Sequence, residues 1–188
     1  MLMLDLFCGL KGASKEAQKR GWIVVSVDIE SQFNPSIVVD ITDWHYQGKH
    51  IDFLWASPPC DEFTLYSLPG SWKCHKGLPK KLPSMDLVYA TKRIIEEVQP
   101  DYWIVENVIG AVPFINKVFG KYKKHVGSRY LWGEFPLFDT SHKFGKWRLP
   151  PGENRKALRA EIPAGLSKAL IMAIEQQHKE TIGNYKTY

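Results

Sequence analysis

The sequence predicts an α/β fold built on a twisted, mostly parallel sheet with helices on both faces. Three observations predict it. Short apolar runs alternate along the chain with segments whose apolar residues repeat at helical spacing. Glycine and proline fall where those helical segments stop. Two apolar runs lead straight into reactive side chains, Ser57-Pro58-Pro59-Cys60 and Glu106-Asn107-Val108. Open α/β sheets bind their ligands at such carboxyl ends of strands.

In order, Met1–Phe7 reads as the first strand. Ser14 is placed to cap a short helix running to Arg20, and Gly21 stops it. Trp22–Val27 is the second strand, Ile37–Val39 a short third and Ile51–Ala56 a fourth. Leu87, Val88, Thr91, Ile94, Ile95 and Val98 then repeat at helical spacing until Pro100. Tyr102–Val105 is the fifth strand, Pro113–Phe119 a helix, Arg129–Trp132 an antiparallel return strand and Leu166–Gln177 an amphipathic final helix. No repeat, low-complexity tract or linker divides the chain, so one domain over 1–188 is expected.

Asp61 to Leu82 is the one long irregular stretch. Loops of that length in a compact domain are functional lids or disordered. This one follows Cys60 and carries Phe63, Tyr66 and Trp72 among lysines, a mix suited to closing over nucleotides. Residues 61–85 are therefore expected to form a mobile loop.

The 188 residues suffice to bury about 70% of the unfolded surface. The chain opens on a strand without a leader pattern, and no apolar run approaches the ~20 residues of a bilayer span. A soluble, cytoplasmic protein, a monomer without a membrane partner, is the expectation. Cys8, Cys60 and Cys74 are an odd set without paired spacing, which speaks against a disulfide framework and a tetrahedral zinc site. No metal is expected, and Cys74-His75 reads as loop chemistry. The formal charge is +5 and the pI near 9.0. The excess gathers at Lys73, Lys76, Lys80 and Lys81, at Lys117, Lys121, Lys123, Lys124 and Arg129, and at Lys143, Lys146 and Arg148. Such stripes fit a polyanion, nucleic acid above all, or else a solvated basic face.

Cys60 leaves its strand on a double proline, which locks φ and removes backbone donors, so the thiol cannot fold back into the sheet. A free cysteine is ordinarily a small buried hydrophobe; the prolines before it and the polar residues after it argue against that here. Cys8, beside a glycine turn, reads as packing. Glu106 directly follows an apolar strand, a setting that favours the neutral acid. A thiolate and an acid together suit a pyrimidine: addition to C6 makes C5 nucleophilic, and a proton given to N3 stabilises the charge that develops.

The ordered motifs resemble those of the cytosine-C5 DNA methyltransferase family. Asp5-Leu6-Phe7-Cys8-Gly9-Leu10-Lys11-Gly12 resembles its first cofactor motif, Val27-Asp28-Ile29-Glu30 the acidic second and Val39-Asp40-Ile41-Thr42-Asp43 the third. Pro58-Pro59-Cys60 and Glu106-Asn107-Val108 resemble the catalytic signatures. Gly127-Ser128-Arg129-Tyr130 resembles the end of the arginine motif and Ile162-Pro163-Ala164-Gly165-Leu166 the final helix motif. Leu131-Trp132-Gly133-Glu134-Phe135-Pro136 resembles the short phage, mobile-element and archaeal forms.

The resemblance implies a Rossmann-like fold, S-adenosyl-L-methionine as cofactor and DNA as partner. It implies that Cys60 attacks C6, Glu106 protonates N3, Asn107 orients the Pro58–Cys60 turn, Arg129 bonds the cytosine O2 and the Pro58 carbonyl meets the exocyclic amine. Cofactor contacts are implied for Asp5, Phe7, Gly9 and Gly12, for Asp28 and Ile29 at the ribose, and for Asp40 and Ile41 at the adenine. Gly9 allows close backbone approach, Gly12 opens the following helix, and the acid of Asp28 suits ribose hydroxyls. No phosphate needs cradling, which fits the missing G-x-G-x-x-G. A duplex base must be extruded or presented single-stranded to reach such a pocket.

Lys11 stands where relatives often carry glycine, and His125 and Gly127 where they often carry glutamine and arginine. Full-length relatives insert a target-recognition domain where this chain has only about thirty residues, so 130–160 reads as a reduced recognition region. A short or relaxed sequence preference, or a protein partner that supplies one, is expected. Open alternatives are an RNA enzyme using the same pair, a catalytically silent binding relative and a sulfonium donor carrying another group. A dinucleotide oxidoreductase would lack its phosphate fingerprint.

Overall fold

The computed structural model describes residues 1–63, 82–139, 158 and 161–185. Among these the strands are β1 (Leu2–Leu6), β2 (Ile23–Asp28), β3 (Ile37–Val38), β4 (Phe53–Ala56), β5 (Tyr102–Val108), β6 (Lys124–Val126) and β7 (Arg129–Glu134). The helices are α1 (Lys15–Lys19), α2 (Asp86–Val98), α3 (Val112–Phe119) and α4 (Ala164–Tyr185). The strands form one sheet in the order β3-β2-β1-β4-β5-β7-β6. The first five pair in parallel; β7 runs antiparallel to β5, and β6 to β7.

Strand side chains alternate between faces, and the apolar residues divide accordingly. Leu4, Leu6, Leu54, Ala56, Val105 and Trp132 pack in one core with Val88 and Ile94 of α2 and Ile115 of α3. Met3, Phe53, Trp55, Ile104 and Leu131 pack in a second core with Ala17 of α1 and Leu166, Leu170 and Ile174 of α4. Both faces of the sheet are thus covered, which is why the strands read as near-continuous apolar runs.

The termini of the elements follow from local chemistry, with several departures from expectation. Gly21, at φ +81°, ends α1 as expected. Ser14 does not cap that helix; its hydroxyl is drawn to the buried Asp5 carboxylate instead. Gln99 closes α2 in the left-handed conformation, because Pro100 disfavours a helical residue before it. β5 runs on to Val108, since β7 supplies partners as far as Val108↔Arg129. The short edge strand β6 carries no alternation for sequence to read. Helix α4 outlasts the expected Leu166–Gln177 because Gln176, Lys179 and Glu180 are good helix formers.

Two glycines are required by close approach. A Cβ on Gly12 would lie 2.6 Å from the Ile162 carbonyl oxygen, so that glycine admits the Glu161-Ile162 backbone rather than opening α1. Gly133, at φ +136°, would bring a Cβ to 2.0 Å from the Trp103 carbonyl oxygen, inside the β5–β7 pairing. The basic stripe is also partly diverted. Lys123 and Lys124 donate to the Phe135 and Phe138 carbonyls and lie over those two rings. Lys117 and Lys121 remain exposed. Tyr66, Trp72, Cys74-His75, the first lysine cluster and Lys143, Lys146 and Arg148 lie outside the described residues. No helix among the described residues is long and apolar enough to cross a membrane.

Gly133→Ala is expected to lower stability by about 2 kcal/mol or more, because strained backbone, not a flexible side chain, must yield. Urea unfolding measures it, and a loss no larger than that of an exposed Gly120→Ala control would contradict the close-approach argument.

Candidate active site

The carboxyl ends of β1, β2, β4 and β5 open onto one cleft of about 1180 Å³. Asp5, Phe7, Gly9, Gly12, Asp28, Ile29, Asp40, Ile41, Pro58, Cys60, Glu106 and Arg129 all line it. The remaining candidate, Asn107, is buried behind the wall. Residues spread over 125 positions of sequence are thus gathered at one end of the sheet because parallel strands point the same way.

One end of the cleft is built on the first two strands. Phe7, Gly9 and Lys11 hold φ of 58°, 45° and 60°, so the loop after β1 turns sharply. The Asp28 carboxylate fixes it: Oδ2 accepts the Gly9 N–H and Oδ1 the Glu30 N–H, both at 2.9 Å. An ionised carboxylate offers about four lone-pair sites, so Asp28 retains acceptor capacity toward the cleft. Ile29 beside it is 63% exposed, an apolar lip suited to a flat ring. Lys11 donates to the Asn34 carbonyl at 2.5 Å, joining this loop to the turn after β2.

Asp5 lies beneath that loop. It takes the Ser14 hydroxyl hydrogen bond in a buried setting, and burial, followed by repulsion from Asp28, pushes its carboxyl up to about 7. The same surroundings push the Cys8 thiol to about 12, burial being the main cause. Cys8 is buried, and these surroundings disfavour its thiolate.

The other end carries Cys60 and Glu106. Consecutive residues of β5 face opposite sides, and this alternation separates two jobs. Asn107 turns toward the α2/α3 side, where its Nδ2 donates to the Pro58 carbonyl at 2.9 Å. Its Oδ1 accepts the Val108 N–H, which fixes the amide orientation. Glu106 turns the other way and meets Arg129, Nη1 to Oε1 at 3.1 Å. Arg129 in turn donates from Nη2 to the Glu161 carbonyl at 2.6 Å. Glu106 therefore has a cationic partner rather than bare apolar surroundings.

Cys60 is half-buried. Its carbonyl accepts the Phe63 N–H at 2.9 Å, and Phe63 is itself buried against Phe114, ring centroids 5.9 Å apart. Phe63 is an anchor for the turn, not a loop residue waiting to cover a nucleotide. The Cys60 thiol is pushed above its ordinary 9.0 by burial first and then by the Glu106 and Asp61 charges, with Arg129 opposing them.

Sequence reading overlooked Glu161 and Arg93. Glu161 lines the cleft and ties Lys15 of α1 and Arg129 of β7 together; its place next to Ile162-Pro163 was the available signal. Arg93 reads from sequence only as an ordinary i,i+4 partner of Glu97, yet it bonds the Ile41, Thr42 and Trp44 carbonyls, 49 to 52 positions earlier in the chain.

The sheet order and the antiparallel β7 define a Rossmann-like fold of the methyltransferase type, with a cleft at the strand ends. The chain belongs to the C-5 cytosine-specific DNA methylase family, whose profile matches residues 1–126. That match contains Cys60 and Glu106 and stops short of Arg129. Among solved structures, the chain resembles a protein encoded in an E. coli prophage and described as a DNA modification methyltransferase. Identity is 21% over 71% of this chain and 46% of that one, with a TM-score of 0.50. It is also similar to the Entamoeba histolytica methyltransferase EhMeth, at 12% identity over 81% of this chain and 57% of that one, TM-score 0.46. A Spodoptera frugiperda DNMT2 mutant matches at 18% over 81% of this chain and 53% of that one, TM-score 0.44. The chain thus spans about half the length of these three structures. No curated protein matches it.

Alkylation of Cys60 by iodoacetamide should titrate with a midpoint above 9.0. Glu106→Gln and Asp61→Asn should each move that midpoint down, since each removes a charge that opposes the thiolate; an unmoved midpoint in both variants would contradict the electrostatic account. For Asp5 the native carboxyl holds its proton above the ordinary 3.8. Its contribution to stability is therefore complete below about pH 4 and is lost as pH rises through about 7, on the order of 4 kcal/mol between the limits. Asp5→Asn should flatten that slope in urea titrations at pH 4, 6 and 8.

Proposed function

We propose that the protein is a DNA cytosine-C5 methyltransferase that uses S-adenosyl-L-methionine. The observation that carries this reading is the shared cleft: a strand-end thiol and an arginine-held carboxyl stand beside a recess lined by Asp28, Ile29, Asp40 and Ile41. The donor set of that recess fits the cofactor. Asp28 keeps acceptor capacity for ribose hydroxyls, the apolar lip of Ile29 suits an adenine face, and Asp40 with Ile41 borders its edge. Gly9 and Phe7 would border the amino-acid end, above Asp5. When bound, S-adenosyl-L-methionine supplies an electrophilic methyl group.

The chain's own residues do the rest. A cytosine turned out of its stack enters beside Cys60, and unstacking costs a few kcal/mol. The Cys60 thiolate adds to C6 while Glu106 delivers a proton to N3, so the ring becomes an enamine nucleophilic at C5. Arg129 holds Glu106 with one nitrogen and the Glu161 carbonyl with another, and its place beside Glu106 suits the cytosine O2 role that the family motif implies. Asn107 keeps the Pro58 carbonyl in place, and that carbonyl's second lone pair serves the exocyclic amine. After C5 is alkylated, loss of the C5 proton to a base, expulsion of the Cys60 thiolate from C6 and return of the N3 proton to Glu106 restore aromaticity and the free enzyme. Burial, then the Glu106 and Asp61 charges, disfavour the Cys60 thiolate, and Arg129 favours it. We propose a short or relaxed sequence preference, or a protein partner that supplies one.

The test is transfer of labelled methyl from S-adenosyl-L-methionine to duplex DNA, single-stranded DNA and RNA, followed by nucleoside analysis. Label in 5-methyldeoxycytidine is the expected result. Label confined to 5-methylcytidine would replace DNA with RNA as substrate, and no label in any of the three would overturn the enzymatic reading. Cys60→Ser should reduce transfer on the order of 10³-fold or more while binding of S-adenosyl-L-homocysteine stays near normal. Asp28→Ala should weaken that binding, as calorimetry would read.

A further inference from the structure

We propose that Arg93, on α2, is a positioning residue for recognition of the cofactor's adenine amino group, acting through Thr42 on Asp40. The inference rests on the cofactor assignment above. Its basis is a convergence of backbone. Nη2 of Arg93 donates to the carbonyls of Ile41, Thr42 and Trp44 at 2.9, 3.1 and 2.9 Å. Three carbonyls from four consecutive residues aimed at one point would repel each other without a cation among them. The guanidinium is itself fixed from behind, where Nη1 meets Glu97 Oε1 and His45 Nδ1, both at 3.0 Å.

Thr42 links this clamp to the cleft. While its carbonyl is held by Arg93, its N–H and hydroxyl both donate to Asp40 Oδ1, at 2.9 and 2.8 Å. Those bonds hold the Asp40 carboxyl below its usual range, so it is an ionised acceptor. With one oxygen occupied by Thr42, the other can accept an amino hydrogen. Ile41 is buried and anchors the same loop. Loss of the guanidinium would release Thr42 and let the Asp40 carboxylate turn. The effect would fall on the adenine amino group and not on the ribose or amino-acid end, which Asp28 and the Phe7–Gly9 loop serve.

The experiment is calorimetric binding of S-adenosyl-L-homocysteine and of its inosine counterpart, in which oxygen replaces the amino group. Wild type should prefer the adenine ligand. Arg93→Met should weaken the adenine ligand by about tenfold, the scale of one charge-assisted hydrogen bond, and leave the inosine ligand nearly unchanged. The preference between the two thus collapses. Thr42→Val should reduce the same preference and add little to Arg93→Met. Should Arg93→Met fail to fold, Arg93→Lys carries the test, since one ammonium cannot serve all three carbonyls. An unchanged preference, or equal weakening of both ligands, overturns the proposal. Asp28→Ala separates the two readings. If it weakens both ligands while Arg93→Met leaves the preference intact, only the Arg93 role fails. If wild type binds neither ligand, the cofactor assignment fails and this inference with it.

Discussion

The antiparallel pairing of β7 with β5 is the constraint on which the rest of the site depends. It extends β5 past the point where its apolar pattern stops, so that Glu106 and Asn107 are strand residues with fixed and opposite directions. It also delivers Arg129, more than twenty positions later in sequence, to the carboxylate of Glu106. The pairing is possible only because Gly133 has no side chain where the Trp103 carbonyl passes. Arg129 then reaches on to the Glu161 carbonyl, and Gly12 admits that same segment from the other side. One strand pairing thereby joins Glu106, Arg129 and the segment that leads into the final helix.

Electrostatics in the cleft is a balance among acids with few cations. Asp5, Asp28, Glu106 and Asp61 surround two thiols, and burial raises both thiols further. For Cys8 this disfavours the thiolate. For Cys60, Arg129 alone opposes the acids among the neighbouring charged side chains of the described residues. Hydrogen bonds from the backbone, not cations, hold Asp28, which leaves its charge directed at the cleft.

Much of this was legible in the sequence. The strands and helices followed from period and punctuation, since both faces of a covered sheet demand apolar residues. The double proline before Cys60 marked a rigid turn, and Asn107 next to Glu106 marked its brace. Other features were illegible for physical reasons. Ser14 looked like a cap because capping is local, whereas its actual partner is a buried carboxylate on another element. Phe63 looked like part of a lid because it follows Cys60, yet it is buried against Phe114. Lys123 and Lys124 looked like phosphate ligands, but their ammonium groups found carbonyls and aromatic rings of the same chain.

What the sequence by itself determined was the fold class, the family and the residues that the strand ends bring to one cleft. These depend on residue type and short spacing, which a chain carries before it folds. What only the tertiary structure decided was who faces whom: Arg129 toward Glu106, Glu161 toward Arg129, and Arg93 toward the Ile41–Trp44 carbonyls. These contacts join residues far apart in sequence through backbone carbonyls. A carbonyl has the same chemistry at every position, so no residue pattern announces which one a distant arginine will meet.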